Sequence, residues 1–74
     1  MTDRPAAFGW AILGTGTVSH SVAADLSIVD GARRVGVWSR RAQNAESFAA
    51  THRFERAFTS IDNVLAAPDI DIVY

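Results

Sequence analysis

The residues best suited to chemistry form a glycine-rich hexapeptide, Gly-Thr-Gly-Thr-Val-Ser, at positions 14–19. This hexapeptide follows an apolar run and precedes a helical pattern, which is the order of elements around phosphate-binding turns. Gly14 would permit the tight turn from strand to helix, and Gly16, which has no Cβ, would let the backbone contact a pyrophosphate. The amides of the turn, at the positive end of the helix, would hold the negative charge. The pattern therefore predicts a dinucleotide-binding turn.

Four further residues complete this hexapeptide. Thr15 and Thr17 can each add a hydroxyl donor to the set of amides, although the same hydroxyls could cap the helix instead. Val18 completes the cofactor-binding residues that we expect in the turn. Ser19 stands where a third Gly or Ala is usual, and it is small enough to let the helix pack closely on the strand. The alternative interpretation is a glycine turn that binds no ligand.

The preferred cofactor is predicted from the end of the second apolar run. A ribose with a free 2′-hydroxyl is usually bound by Asp or Glu about 20 residues after the glycine turn, which corresponds to Ser39 in this chain. No carboxylate lies between Asp30 and Glu46, and Arg40 and Arg41 follow the serine. A hydroxyl and two guanidinium groups suit a 2′-phosphate, so the sequence favours NADP, with NAD as the alternative. Otherwise the serine only caps the next helix and both arginines are solvated.

The other ionisable residues are predicted to be structural. His20 has no second histidine or carboxylate at ligand spacing, so we expect no metal site there. His52 should follow a helix, where a partly positive imidazole would interact well with the helix dipole. Asp69 and Asp71 share one face at the start of a strand, away from the ligand crevice of a parallel sheet, and are predicted to form a solvated turn. We therefore predict no catalytic residue and no metal ligand in this chain.

The elements that position these residues alternate between short apolar runs and helical patterns, which is typical of βαβ units. Strands are predicted at Phe8–Leu13, Val35–Trp38, Ala57–Phe58 and Ile70–Tyr74. The fold class that follows is α/β: the first half of a Rossmann-like doubly wound parallel sheet, in the order βαβαβαβ and truncated in the fourth strand. Residues 1–7 are predicted to be a disordered arm, and residues 8–74 a partial NAD(P)-binding domain.

Three helices are expected between these strands, each with apolar residues at helical spacing. The first should end at Gly31 and bury Val18, Val22, Leu26 and Val29. The second should run from about Arg41 to Thr51 and bury Ala42, Ala45, Phe48 and Ala49. The third should begin after the N-cap Ser60, bury Ile61, Val64 and Leu65, and end before Pro68, because proline interrupts a helix.

Composition and charge argue against several other classes of protein. The chain has 74 residues, a formal net charge of -1 and 49% hydrophobic residues, which is ordinary for a globular segment. This charge gives no argument for binding nucleic acid or an anionic membrane, and the first apolar run is too short for a signal peptide or a membrane span. The absence of cysteine excludes disulfides and thiolate chemistry. We expect a cytoplasmic protein without nucleic-acid or membrane partners.

Three blocks of this sequence, in order, resemble the N-terminal part of the Gfo/Idh/MocA oxidoreductases. That family includes glucose-fructose oxidoreductase, inositol dehydrogenase and dihydrodiol dehydrogenase. The blocks are Trp10–Ser19, then Gly31–Ala32 with Val35–Arg40, and finally Phe58–Ala66 with Pro68–Tyr74. The resemblance extends over nearly everything from residue 8 to residue 74.

The resemblance implies an N-terminal half that binds NAD or NADP and a C-terminal half that holds a sugar, polyol or diol. It also implies a catalytic lysine in a later Glu-Lys-Pro motif, whereas this sequence has no lysine. We therefore expect a complete, homo-oligomeric oxidoreductase acting on a CH–OH group, with its C-terminal substrate domain absent from this chain and these 74 residues inactive alone. The alternatives are a stand-alone dinucleotide-binding or sensing module, or a nonfunctional fragment.

Overall fold

The computed structural model describes residues 8–74, so the predicted arm at residues 1–7 lies outside the described part. Strands and helices alternate along the chain as predicted. The strands are β1 (Phe8–Leu13), β2 (Ala32–Trp38), β3 (Arg56–Phe58) and β4 (Ile72–Val73). The helices are α1 (Thr17–Leu26), α2 (Ala42–His52) and α3 (Ile61–Ala66).

All four strands are parallel and form one sheet in the order β3-β2-β1-β4. The first connections move outward from β1 to β3, and the last one returns across the sheet to place β4 beside β1. The order of strands therefore reverses at β1 and β4, which is where a doubly wound sheet binds its ligand. Right-handed crossovers put α1 and α2 on one face and α3 on the other. The predicted fold class, a Rossmann-like α/β fold with a parallel sheet, is confirmed.

Apolar residues from the sheet and from α1 and α2 make up the main core. Central strands covered on both faces explain why Ala11, Ile12, Val35 and Val37 are all fully buried. The cluster between the sheet and its two helices contains Ile12, Ala23, Leu26, Val37, Ala45, Phe48, Ala49 and Phe54. This cluster fixes where α1 and α2 begin, and therefore where the loops at the carboxyl ends of β1 and β2 lie.

The predicted apolar stripe of α1 is wrong in two of its four members. Val18 is 64% exposed and Val29 is 52% exposed, whereas Ser19, Ala23 and Leu26 are the buried residues of the helix. The small Ser19 and Ala23 let the helix axis approach the sheet, and this rotates Val18 toward solvent. Val29 lies beyond the end of the helix, which closes at Ser27.

The end of α1 also differs from the prediction. Gly31 has the expected left-handed backbone, with φ of 84°, but it lies in the turn before β2 and does not cap α1. The C-cap is Ser27, whose amide donates to the carbonyl of Ala23. The positive φ that favours glycine is therefore required by the entry into β2.

The second and third helices are close to their predicted bounds, but parts of their predicted buried faces are wrong. Ala42, the first residue of α2, is exposed, and the buried face of this helix begins at Ala45. In α3, Val64 is buried, whereas Ile61 is 38% and Leu65 is 68% exposed. The predicted N-cap is confirmed, because the hydroxyl of Ser60 accepts from the amide of Asn63 at 3.1 Å.

Two glycines inside strands allow close packing. A Cβ on Gly9 would overlap the carbonyl oxygen of Asp69, and a Cβ on Gly36 would overlap the ring of Phe58. Both positions therefore require a residue without a side chain. Neither belongs to the predicted phosphate-binding turn.

Candidate functional site

The glycine turn lies at the carboxyl ends of three neighbouring strands. The amide of Gly14 donates to the carbonyl of Trp38 at 2.6 Å, and the amide of Leu13 donates to the carbonyl of Tyr74 at 3.0 Å. These bonds tie the turn to the ends of β2 and β4. Gly14 has φ of 103°, a conformation that side chains disfavour, so the sharp turn depends on glycine at this position. The predicted role of Gly14 in the turn agrees with this geometry.

The start of α1 presents open space and unpaired donors. Gly16 is the N-cap of α1, its backbone is extended, and within residues 8–74 no side chain accepts a hydrogen bond from the first-turn amides. A Cβ built on Gly16 would meet nothing within 4 Å, so no protein group in the described part of the chain requires glycine there. The first turn also carries no acidic residue. Free amides and the helix dipole together favour a bound anion.

The other predicted turn residues surround this space. Thr17 and Val18 are exposed, and Thr15 is half-buried. Thr15 also lines a cavity of about 300 Å³, which it shares with His20 and with one face of α2 formed by Asn44, Ser47, Phe48 and Thr51. The structure thus brings all five predicted turn residues to one edge of the sheet.

The serine and arginines predicted to select the cofactor lie beside the same edge. Ser39 directly follows Trp38, whose carbonyl accepts from the glycine turn, and it is 9% exposed. Arg40 and Arg41 are exposed, and within residues 8–74 neither forms an ion pair. Arg41 is the N-cap of α2, and no carboxylate lies in the first turn of that helix. Ser39 therefore does not cap α2 as the alternative interpretation expected, whereas the exposure of both arginines agrees with that alternative.

A pair of histidines forms a contact that the sequence analysis missed. Nδ1 of His20 on α1 lies 2.6 Å from Nε2 of His52, the last residue of α2. The two rings were treated separately because 32 positions separate them in sequence. The available signal was the topology itself, since two successive right-handed crossovers place α1 and α2 side by side on one face.

The histidine environment also differs from the prediction for His52. Burial lowers the pKa of this imidazole below its ordinary value of 6.5, and the nearby His20 and Arg34 lower it further. The neutral ring is therefore favoured, in place of the partly positive ring expected from the helix dipole. Within residues 8–74, no group of three or more acidic or histidine side chains could hold a metal ion.

The two aspartates near β4 remain partly or fully exposed beside a turn at residues 68–69, as predicted, but each also has a bonded partner that the prediction did not include. Asp71 accepts from the amide of Gly9 at 2.8 Å. Asp69 accepts from the guanidinium of Arg56 at 2.7 Å, and this hydrogen bond is the main reason that the pKa of Asp69 is lowered. Both carboxylates lie at the amino end of the sheet, opposite the glycine turn.

Comparison with known proteins decides the family. The family described as "Oxidoreductase family, NAD-binding Rossmann fold", Gfo/Idh/MocA, matches residues 8–74. The chain belongs to this family. It is 31% identical over 67 residues to a trans-1,2-dihydrobenzene-1,2-diol dehydrogenase of Xenopus laevis, covering 88% of this chain and 20% of that protein. The resemblance stated from the sequence is confirmed.

Solved structures of similar fold carry either nicotinamide cofactor. A myo-inositol dehydrogenase from Lactobacillus casei, in complex with NAD(H) and myo-inositol, superposes with a TM-score of 0.82 at 23% identity over 90% of this chain and 20% of that one. KijD10, a 3-ketoreductase from Actinomadura kijaniata in complex with NADP, superposes with a TM-score of 0.80 at 20% identity over 92% and 22%. At these identities the likeness shows the fold alone.

The Gfo/Idh/MocA chain described by residues 8–74 is short beside its relatives. It spans about a fifth of the length of the diol dehydrogenase and of the inositol dehydrogenase. Within the described residues, none of the helices is long and apolar enough to cross a membrane. The family and the fold together establish an NAD(P)-binding oxidoreductase domain.

Proposed function

We propose that this chain is the cofactor-binding part of an oxidoreductase that prefers NADP and acts on the CH–OH group of a sugar, polyol or diol. The observation that carries the proposal is the open edge formed by the glycine turn and the end of β2. There, the first amides of α1 have no side-chain acceptor among residues 8–74, a Cβ on Gly16 would meet nothing within 4 Å, and two exposed arginines form no ion pair with the described residues. The substrate class follows from relatives named as diol and inositol dehydrogenases.

The residues fit a dinucleotide in two parts. Gly14, Thr15, Gly16, Thr17 and Val18 would hold the pyrophosphate, through backbone amides at the positive end of α1 and threonine hydroxyls. The space beside Gly16, which a Cβ would occupy without touching protein, would be taken by the phosphates. The exposed side chain of Val18 offers apolar contact beside them.

The second part of the site would select the cofactor. Ser39, Arg40 and Arg41 would bind a 2′-phosphate, because a guanidinium holds a phosphate with two charge-assisted hydrogen bonds. A ribose with a free 2′-hydroxyl would lack the carboxylate that usually binds it, since no acidic residue lies in the first turn of α2. This difference supports NADP over NAD.

When bound, the nicotinamide supplies the hydride acceptor or donor. This chain would bind and orient that cofactor, and we propose that proton transfer to the substrate requires groups beyond these 74 residues, because the chain contains no lysine. We also propose a cytoplasmic homo-oligomer with no nucleic-acid or membrane partner. The stand-alone binding module is the competing hypothesis, and it would bind NADP without turnover.

The test is the substitution Arg40→Ala in the full-length protein as its gene encodes it. We expect NADP binding to weaken by about 1.5–3 kcal/mol, the value of a hydrogen bond to a charged group, while NAD binding stays nearly unchanged. Isothermal titration with each cofactor measures both affinities. Arg53→Gln is the matched control, because it removes an exposed arginine at the opposite end of α2. Equal weakening of both cofactors by Arg40→Ala would refute the 2′-phosphate assignment.

A further inference from the structure

The contact between α1 and α2 contains an imidazole pair. His20 and His52 meet through Nδ1 and Nε2 at 2.6 Å. The ring of Phe48 lies against both, with centroids 4.6 Å from each imidazole. The three rings therefore form one contact between the first half of α1 and the last turn of α2.

Two imidazole nitrogens at hydrogen-bond distance can share only one proton between them. A neutral pair has one N–H donor facing one lone pair, and a singly charged pair keeps that arrangement with a stronger bond. If both rings are charged, two N–H groups face each other, and the contact becomes repulsive. The observed distance is therefore compatible with a neutral or a singly charged pair, and not with a doubly charged pair.

The groups around the pair also disfavour the state in which both imidazoles are charged. The basic groups near His52 are His20 from α1, Arg34 from β2 and the neighbouring Arg53. The two arginines and His52 line a second cavity, of about 420 Å³. Arg34 also donates to the carbonyl of His52 at 3.0 Å, which fixes the end of α2 beside the cation. All of these groups are basic. A second proton on the pair would place positive charge among positive charges.

We propose that His20 and His52 form a proton-sensitive latch between α1 and α2, which is closed while at most one ring is charged and opens when both are. The closed latch holds the first half of α1 in place. The amide of His20 donates to the carbonyl of Gly16 at 3.2 Å, and Thr15 lines the same cavity as His20. The latch thus acts on the helix turn that follows the glycine motif, and it does so whether or not a cofactor binds there.

The direction of the pH effect follows from His52. Its pKa is lowered on folding, so the unfolded chain binds more protons in the acidic range. The contribution to stability is complete above the ordinary value of 6.5 and is lost as the pH falls through the lowered value. This pH range lies above the one in which carboxylates titrate, because their ordinary pKa values are about 4.

The experiment compares urea unfolding of the full-length protein with that of His52→Gln at a series of pH values from about 7.5 to about 5. Glutamine keeps a polar side chain at the contact but does not titrate. We expect the wild-type midpoint to fall across this range by more than that of His52→Gln. The control is Ser47→Ala, which changes a side chain that lines the same cavity as His20. This variant should follow the wild-type profile. Parallel profiles for the wild type and His52→Gln would overturn the latch.

A spectroscopic measurement keeps the proposal testable if His52→Gln fails to fold. In wild-type protein with 15N-labelled histidine, we expect one of the two facing nitrogens, Nδ1 of His20 or Nε2 of His52, to carry a proton at about pH 7.5 and the other to carry none. We also expect the nuclear Overhauser contacts between the two rings to disappear when both become charged. Two facing nitrogens that are both protonated or both unprotonated at the higher pH, or contacts that persist with both rings charged, would refute the latch.

Discussion

The side of the sheet where its strands begin (the amino edge) and the side where they end (the carboxyl edge) are built in opposite ways. At the amino edge, polar groups bond to one another: Arg33 pairs with Glu55 at 2.8 Å, Arg56 pairs with Asp69 at 2.7 Å, and the amide of Gly9 donates to Asp71 at 2.8 Å. At the carboxyl edge, the first amides of α1 have no side-chain acceptor. The described protein thus satisfies one edge itself and leaves donors unused at the other.

The glycines show the same difference. At the amino edge, Gly9 is required because Asp69 fills the space of a Cβ, whereas at the carboxyl edge the space around Gly16 is empty. A glycine in contact with protein contributes to the fold, and a glycine beside empty space has no packing reason to lack a side chain. The cofactor proposed above would account for Gly16, because it would approach the backbone at this point, and a pair of substitutions can separate the two roles.

The largest effect is expected at the amino edge. Gly9→Ala would force the Cβ against the carbonyl oxygen of Asp69. Because backbone must move, we expect a loss of about 3 kcal/mol in the free energy of unfolding, the upper end for overpacked sites. The shift should also weaken the bond from Gly9 to Asp71. Urea unfolding of the full-length protein measures this loss, and a variant as stable as the wild type would show that the amino edge is not closely packed.

A smaller effect, on a different quantity, is expected at the carboxyl edge. Gly16→Ala should lower the free energy of unfolding by only about 1 kcal/mol, because alanine is a poorer N-cap than glycine but meets no protein group here. Dinucleotide binding should weaken at least tenfold, or by about 1.4 kcal/mol, because the methyl group would occupy the proposed phosphate space. Calorimetric titration measures the change in dinucleotide affinity, and urea unfolding measures the change in the free energy of unfolding. Normal binding by Gly16→Ala would contradict the distinction between the edges.

The contrast between the edges was only partly predictable from sequence. The turn at Gly14 and Gly16 could be predicted because its chemistry is local: strand, glycines and helix are adjacent in the chain. The closed edge was missed because the partners of Asp69 and Asp71 are far away in sequence, and the hydrogen bond from Gly9 to Asp71 spans 62 positions. A pattern of two aspartates at a strand start does not specify partners at that distance.

The same limit explains the errors in the helices. Apolar spacing identified α1, but it could not show that the small Ser19 and Ala23 would face the sheet in place of Val18. Helix faces are selected by how closely the backbones approach, which depends on residues in other elements. The missed contact between His20 and His52 has this origin too, since it depends on how α1 and α2 lie against each other.

The smallest effect concerns the ion pairs of the amino edge. Asp69 has a lowered pKa because Arg56 donates to it, so its contribution to stability is present above the ordinary value of 3.8 and is lost as the pH falls through the lowered value. Because the pair is exposed and screened by salt, we expect only a slight change from Asp69→Asn at neutral pH. The urea midpoint of the wild type should fall more steeply in acid than that of Asp69→Asn, with Asp25→Asn as the exposed control. Equal acid sensitivity of all three proteins would mean that the amino edge is held by backbone packing at Gly9, without a contribution from its charges.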